Sequence, residues 1–206
     1  MAGKKSRLPA EYQEVEYIHS SGTQYIDTGI SYGFAIEMQF DSDISVQTKT
    51  QAALFGCENS GSPWRSVYVR RKSSYNEFSP YTDAGLSVKT FTTDGITNIL
   101  AVCLPTYQKL VVNNVVLYDR QDSLTPNSHN VFLFANNSGG TAASASYRVC
   151  NLYSCKMYKD STLENMVRDF VPCYRKADSV VGLFDLVSNT FFTNAGTGTF
   201  TKGADV

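Results

Sequence analysis

The chain has 206 residues, of which 42% are hydrophobic and 13% are aromatic, whereas only 18% are charged. Abundant aromatic residues and a formal net charge of -1 exclude intrinsic disorder, and they leave no basic field that would attract nucleic acid. Apolar runs stay far below the ~20 residues that a membrane helix needs. We therefore expect a folded protein with no nucleic-acid partner and no membrane span.

The chain begins with a short basic leader, for which we give the bounds 1–7, and a single domain is expected over residues 8–206. The leader contains Lys4, Lys5 and Arg7, but no apolar stretch follows it. Because a signal peptide requires that stretch, we expect no export by a signal of the chain's own.

Strands are predicted along most of the chain, because apolar and polar residues alternate with a period of two. The alternation is clearest over residues 34–40 and 66–70. Further apolar, β-branched or aromatic runs bounded by turn residues occupy residues 51–57, 96–104, 107–112, 115–120, 130–135, 147–158 and 166–171. Asn113 and Asn114 predict a two-residue hairpin turn, since asparagine tolerates positive φ.

Helix signals are weak. Ser161 and Glu164 have the spacing of a capping box, but no apolar face continues after them, so at most one helical turn is expected. Many short strands without helical crossovers favour two packed antiparallel sheets, a sandwich or jelly roll.

The cysteine and histidine content indicates neither a disulfide framework nor a metal site. The five cysteines are an odd number and four of them lie in apolar runs, which is typical of reduced, buried thiols. With only His19 and His129 in the chain, no zinc-ligand spacing occurs. No glycine-rich phosphate loop is present either, so we predict no metal and no cofactor.

Two blocks near the ends of the chain carry a family resemblance. The first runs from Leu8 to Gly29, and the second combines Val167 to Cys173 with Val181 to Phe200, which contains Gly-Thr-Gly-Thr-Phe. Together they resemble a family of concanavalin A-like, laminin G-like jelly-roll domains found in phages, prophages and gut bacteria. The blocks themselves supply turns and core side chains, so we interpret them as fold determinants, with the strands near Tyr25 and Phe200 in the same region.

The resemblance implies an all-β, two-sheet antiparallel jelly-roll sandwich and a setting on a phage or phage-derived particle. It also implies synthesis in the bacterial cytoplasm without a signal peptide and a final location on the virion surface. Two functions stay open: a lectin-like host-attachment module that binds host-surface glycans, and an accessory capsid or tail decoration protein that binds virion structural proteins. A homo-oligomer is compatible with either.

Catalysis is the less favoured alternative, although the wider superfamily contains glycoside hydrolases. Glu37 and Asp41 share a strand face at a spacing of four, with Gln39 between them, but the Glu-x-Asp-x-x-Glu pattern of laminarinase-like enzymes does not occur. Neither histidine lies in a nucleophile elbow. We therefore expect a protein that is not an enzyme.

The glycan-binding hypothesis concerns one aromatic and basic segment. Trp64 follows a proline in a polar loop, and Tyr68, Arg70 and Tyr75 come shortly after it. An exposed indole can stack on a sugar ring while neighbouring groups bond its hydroxyls. The alternative for Trp64 is that it only caps the edge of the sandwich.

A second loop, residues 136–146, is small and polar, and its Asn136 and Asn137 complete the predicted carbohydrate site. The loop has no aromatic residue that could stack on a sugar, so it is also interpretable as a simple connection.

Overall fold

The computed structural model describes residues 7–42, 46–59, 65–72, 74–80, 89–93, 95–125 and 127–206. The regular structure in these ranges consists of β-strands, with no α-helix. In chain order the strands are β1 (Tyr12–Glu14), β2 (Ile18–Ser21), β3 (Ile26–Ser31), β4 (Phe34–Asp41), β5 (Ala53–Glu58), β6 (Ser66–Lys72), β7 (Tyr75–Ser79), β8 (Lys89–Phe91), β9 (Ile96–Cys103), β10 (Gln108–Val112), β11 (Val115–Arg120), β12 (Asn130–Leu133), β13 (Asn137–Ser138), β14 (Thr141–Ala142), β15 (Val149–Tyr158), β16 (Met166–Arg175), β17 (Val180–Asp185), β18 (Thr190–Phe192) and β19 (Thr201–Lys202).

The strands form two sheets. The larger sheet has the order β11-β10-β9-β4-β15-β16-β17-β18, with β1 paired to β16, β2 to β15 and β19 to β2. The smaller sheet has the order β14-β13-β5-β6-β7-β8, and β12 joins it to β3. Pairing is antiparallel except between β13 and β5, which are parallel. The predicted two-sheet antiparallel architecture is thus confirmed.

The hydrophobic core lies between the sheets and follows the period-two alternation of the sequence. In β4 the core side chains are Phe34, Ile36, Met38 and Phe40, and the intervening Glu37 and Gln39 stay partly exposed. Successive side chains of a strand point to opposite faces, so one buried face requires this pattern. Glu37 and Gln39 therefore lie on the outward face of the larger sheet, where Ala35 packs in a separate small apolar cluster with Val102 and Tyr158.

The two ends of the chain meet, as the sequence predicts. The backbone N–H of Ala195 donates to the carbonyl of Tyr25 at 2.9 Å, and that of Thr197 donates to Thr23 at 3.1 Å. Phe200 packs against Phe134, with their ring centres 5.1 Å apart. The terminal blocks thus close the sandwich.

Local turn chemistry confirms the predicted hairpin turn, and no helix forms at the capping-box sequence, where at most one turn was expected. Asn113 and Asn114 adopt φ values of 46° and 67° between β10 and β11, as a tight hairpin requires. The capping box at Ser161 does not start a helix. Instead the Asp160 carboxylate accepts hydrogen bonds from the backbone N–H groups of Glu164 at 3.1 Å and Asn165 at 2.6 Å, which fixes a turn.

All five cysteines are buried and free: Cys57, Cys103, Cys150, Cys155 and Cys173. Burial raises the pKa of Cys57 and of Cys150 to about 12. A thiol that holds its proton so firmly is a poor nucleophile and metal ligand, so these side chains act as small apolar groups.

Among the described residues, no helix is long and apolar enough to cross a membrane.

Candidate functional site

The outward face of strands β6 and β7 concentrates polar side chains. Val67 and Val69 of β6 belong to the core, so the alternating Tyr68, Arg70 and Lys72 lie on the opposite face. The register pairs these three with residues of β7 on the same face. We call the resulting surface the polar face; its members are Tyr68, Arg70, Lys72, Tyr75, Glu77 and Ser79.

Arg70 is the most firmly held side chain of the polar face. Its guanidinium carbon lies 4.0 Å from the centre of the Tyr68 ring. Nε donates to Glu77 Oε1 at 2.6 Å, and Nη1 donates to Gln51 Oε1 at 3.2 Å. Nη2 makes no hydrogen bond with any described residue. The guanidinium is therefore fixed in place, and the two N–H groups of Nη2 are the donors that could serve a ligand.

Glu77 carries the negative charge that balances this region. Its side chain is only 4% exposed and receives Arg70 on one oxygen, while Lys72 Nζ lies 3.8 Å from the other. A carboxylate in this setting is stabilised by two cations, and its geometry fixes the plane of the Arg70 guanidinium.

Tyr68 supports Arg70 and is itself largely hidden. The residue is 3% exposed, and burial, reinforced by Glu77 against the opposing charge of Arg70, raises the pKa of Tyr68 to about 12. We expected Tyr68 on a solvent-exposed face, but the guanidinium of Arg70 covers its ring. The correct face was predicted, whereas the burial depends on neighbours that strand alternation does not reveal.

Asn136 reaches the polar face through a gap left by a glycine. A Cβ atom on Gly56 would overlap Asn136 Oδ1 and would lie 3.0 Å from Tyr68 Cβ. Asn136 is 4% exposed, and its Oδ1 has no hydrogen-bond partner among the described residues. A buried carbonyl oxygen without a donor is unusual, and here it adjoins Tyr68.

The other predicted site residues have different positions. Asn137 donates from Nδ2 to the carbonyl of Asn130 at 2.8 Å, and its Oδ1 accepts from the Gly140 N–H at 2.8 Å, so its amide holds the β13–β14 turn. Tyr75 is half-buried at the end of the polar face. Trp64 lies outside the described residues.

Sequence reasoning did not identify three residues that shape this site: Gln51, Gly56 and Glu77. Glu77 had a usable signal, since it lies close to Arg70 in the sequence and opposite charges on neighbouring strands can pair. Gln51 and Gly56 had none, because their contacts depend on the three-dimensional arrangement of separate segments.

Two further grooves are lined by polar residues whose hydrogen bonds stabilise the fold. One, of about 420 Å³, lies at the C-terminal block and includes Asn194, whose amide accepts from the N–H groups of Tyr25 and Gly196 and donates to the carbonyls of Thr197 and Gly198. With every polar atom of Asn194 bound to backbone, the terminal block behaves as a fold determinant.

The second groove, of about 240 Å³, lies on the larger sheet and contains Glu37, Gln39 and Lys156. Tyr158 donates its hydroxyl hydrogen to Glu37 Oε2 at 2.6 Å. In the described part of the chain no three His, Cys, Asp or Glu side chains are grouped so as to hold a metal ion.

Comparison with known proteins reveals similarity of fold. No protein-family model matches the chain, and no curated protein matches its sequence. A candidate carbohydrate-binding protein from Bacteroides ovatus superposes with a TM-score of 0.59 at 12% identity, over 94% of this chain and 62% of that protein. The CBM40 module of the Ruminococcus gnavus IT-sialidase gives a TM-score of 0.47 at 16% identity, over 75% of this chain and 93% of the module.

A pentraxin from Limulus polyphemus gives a TM-score of 0.42 at 8% identity, over 72% of this chain and 76% of that chain. The TM-score of 0.59 with the Bacteroides ovatus protein shows a shared fold, and at 12% identity function has to be argued from the site. The chain has the jelly-roll fold, with two antiparallel sheets and no helix in the part that the structure describes.

Proposed function

We propose that this protein is a non-catalytic, lectin-like module that binds a glycan on its polar face. The observation that carries the proposal is the Arg70 guanidinium, which is held over the Tyr68 ring by Glu77 and Gln51 and whose Nη2 makes no hydrogen bond with a described residue. Sugar hydroxyls accept hydrogen bonds, so a guanidinium that is held in one orientation suits them as a donor. The fold shared with the Bacteroides ovatus protein supports this assignment.

The residues of the predicted site divide into ligand-contacting and supporting groups. Arg70 offers hydrogen bonds, and Trp64 and Tyr75 offer aromatic surface on which a sugar ring can stack. Asn136 is a supporting residue, which packs beside Gly56 and Tyr68. Tyr68 orients Arg70 from beneath, and Asn137 holds the neighbouring turn. A site built from preorganised polar groups loses little conformational entropy on binding.

The biological setting we propose is a phage or phage-derived particle, with the protein on the virion surface and a host-surface glycan as its partner. The support is the resemblance of the two terminal blocks to jelly-roll domains of phages, prophages and gut bacteria. Detection of the protein in purified particles by mass spectrometry tests this setting, and its absence from them would refute it.

A binding role agrees with the state of the carboxylates in the two polar regions. Retaining glycoside hydrolysis needs two carboxyl groups about 5–5.5 Å apart, one of them able to donate a proton. Glu77 is ion-paired with Arg70, and Glu37 accepts the hydroxyl of Tyr158. Each of these carboxylates serves a structural contact.

A glycan array followed by calorimetry tests the proposed function. The wild-type protein should bind at least one glycan, and Arg70→Met should weaken that binding about tenfold, as the loss of a hydrogen bond to a charged group does. Asn136→Ala should weaken it less, because Asn136 acts only by packing beside Tyr68. Arg175→Met is a matched control, because Arg175 is an exposed arginine paired with Asp178 at 2.6 Å away from the polar face. Unchanged affinity in both site variants would refute the assignment.

A second candidate function, binding to other protein subunits, is favoured by exposed apolar side chains on an edge strand. Val115 and Val116 open the edge strand β11 and are 59% and 53% exposed, and Ile96 of β9 is 52% exposed. An edge strand with apolar side chains is suited to pairing with another chain. Sedimentation velocity of the wild type and of Val116→Lys tests this alternative for self-association, which the charged variant should abolish.

A further inference from the structure

The outer face of the larger sheet contains an open groove that is built by three neighbouring strands. The groove has a volume of about 240 Å³, and its polar lining consists of Glu37, Gln39, Asn98, Ser154 and Lys156. Strand β4 supplies the first two of these residues, β9 the third and β15 the last two, and β4 lies between the other two strands. We call this site the larger-sheet groove.

The strand register brings the five polar side chains together. Gln39 is paired with Asn98 on one side and with Ser154 on the other, and Glu37 is paired with Lys156. Directly opposed residues on one face of a sheet have Cβ atoms about 4.5–5.5 Å apart. The side chains therefore form two adjacent rows, one of three uncharged groups and one that contains the two charged groups.

A β-bulge in β15 turns Ser154 towards the groove. Leu152 and Cys155 are both fully buried in the core, although a regular strand would place them on opposite faces. The register with β4 shifts between Leu152 and Ser154, so Tyr153 is the extra residue. Ser154 thereby shares the outer face with Lys156. Bulges are over-represented next to active sites, where they re-aim a side chain.

Two contacts hold part of the lining in place and leave polar atoms unused. Glu37 accepts the Tyr158 hydroxyl on Oε2 at 2.6 Å, and its Oε1 has no hydrogen-bond partner among the described residues. Gln39 Nε2 donates to Asn98 Oδ1 at 3.1 Å. Within the described ranges, Gln39 Oε1 and Asn98 Nδ2 make no hydrogen bond. One acceptor and one donor of this amide pair are thus available to a ligand.

The two charged side chains of the groove balance each other without direct contact. Glu37 and Lys156 are opposite each other in the register, but no ion pair joins them. The side chains of Lys156 and Ser154 make no hydrogen bond with any residue that the structure describes. A lining with one carboxylate and one ammonium group has no net charge, which favours a neutral ligand over an anion or a cation.

The position of the groove restricts how a ligand can bind. Strand β4 is paired with β9 on one side and with β15 on the other, so its main-chain groups are not available for the addition of another strand. A ligand must therefore be recognised by the side chains. The volume of about 240 Å³ lies below the ~300–1,000 Å³ of sites for drug-sized molecules, so the groove fits one sugar ring.

We propose that the larger-sheet groove is a second carbohydrate site, which binds one neutral pyranose ring. The carboxylate and amide oxygens accept hydrogen bonds from sugar hydroxyls, and the ammonium and amide nitrogens donate to them. The polar face lies on the other outer surface of the sandwich, so the two sites face away from each other and are independent. One molecule can then engage two glycan chains, which increases its avidity for a glycan-covered surface.

Two-dimensional ¹H–¹⁵N NMR of the full chain tests the proposal. The probes are the methyl glycosides of glucose, galactose and mannose, each titrated to about 100 mM. At least one of them should shift the backbone amide signals of Gln39, Asn98 and Ser154, with a Kd of about 1–10 mM because an open groove leaves one side of the ring in water. Shifts confined to β6 and β7, or no shift with any probe, would overturn the proposal.

Charged probes test the assignment to a neutral sugar. The methyl glycosides of glucuronic acid and glucosamine carry one negative and one positive charge at neutral pH. Both should bind to the larger-sheet groove more weakly than the best neutral probe, because the groove has no net charge to offset theirs. Tighter binding of either charged probe at Gln39, Asn98 and Ser154 would refute that assignment.

Variants of the lining complete the experiment, and the dispersion of each spectrum shows whether the variant is folded. Gln39→Ala and Lys156→Met should each weaken binding of the best neutral probe about fivefold, the effect of losing one hydrogen bond. Lys109→Met is the matched control, because Lys109 lies on the same outer face but its Nζ is 3.4 Å from Asp119. Unchanged affinity in both lining variants, or an equal loss in the control, would contradict the site.

Discussion

The guanidinium of Arg70 covers the ring of Tyr68 at 4.0 Å, and this contact organises the polar face of the smaller sheet. Cation–π attraction at such a distance contributes about 0.5–2 kcal/mol, depending on how far water is excluded. Together with the 2.6 Å bond to Glu77 it holds a long, flexible side chain in one orientation. The proposed glycan site rests on that order.

The first prediction concerns Trp64, which lies outside the described residues but belongs to the predicted site. Trp64→Ala should weaken glycan binding by about 1–2 kcal/mol, or roughly 5- to 30-fold, if the indole stacks on a sugar ring. Calorimetry with the best glycan from the array measures this. An unfolded variant, or an affinity equal to that of the wild type, would show instead that Trp64 only caps the edge of the sandwich.

The second prediction concerns the anchor of Arg70. Glu77→Gln should reduce the free energy of unfolding by about 2–4 kcal/mol, because it leaves a mostly buried guanidinium without its carboxylate. Urea denaturation measures the change. The control is Asp178→Asn, which breaks the exposed pair with Arg175 and should change stability much less than Glu77→Gln does. Equal effects in the two variants would contradict the role given to Glu77.

The third prediction tests the close approach of Gly56 and Asn136. Gly56→Ala should destabilise the fold by about 1–3 kcal/mol, because the new methyl group overlaps Asn136 Oδ1. Adding Asn136→Gly to that variant should restore part of the loss. A double-mutant cycle reports the coupling between the two positions, and strictly additive effects would mean that they do not touch.

The fourth prediction separates the two asparagines of the β10–β11 turn. Both have positive φ, but only Asn113 also accepts a hydrogen bond on Oδ1 from the Asn98 N–H, at 2.8 Å. Asn114→Ala should lower the free energy of unfolding by about 1 kcal/mol, and Asn113→Ala by about 2 kcal/mol, since it loses the bond as well. Asn114→Gly should be neutral or stabilising, and a large loss of stability in that variant would contradict the hairpin geometry.

The fifth prediction follows from the buried thiols. Burial raises the pKa of Cys57, Cys150 and Cys173 to about 12, and it also raises the pKa of Cys103 and Cys155. The unfolded chain releases these thiol protons at about pH 8.5, whereas the folded chain keeps them. Ionisation therefore favours the unfolded chain above about pH 8.5, so the free energy of unfolding should be largest below that pH and should fall as the pH rises towards about 12.

Denaturant titrations between pH 7 and pH 10 measure that slope, which should be shallower in Cys150→Ala than in the wild type. A thiol reagent should label all five cysteines in denaturant and react slowly with the folded protein. A count of one or three in denaturant would reveal disulfides, and an identical pH slope in Cys150→Ala would contradict the buried thiol at that position.

The sequence by itself determined the strands and the way they face. In residues 34–40 the alternation identified the core side chains, and Asn113-Asn114 identified a turn. Both predictions are possible because the orientation of strand side chains and tight turns depend on neighbours within a few residues. The same local rule placed Tyr68 and Arg70 on one face and Val67 and Val69 on the other.

Only the tertiary structure decided how separate segments meet on that face. Three features of the site depend on contacts between separate segments. They are the hydrogen bond of Gln51 with Arg70, the close approach of Asn136 to Gly56 and the burial of Tyr68. Arg148, which is 0% exposed, is a sharper case, since its sequence context, between Tyr147 and Val149, does not distinguish a buried arginine from an exposed one. Its burial follows from the packing of two sheets around it, and local periodicity contains no information about that packing.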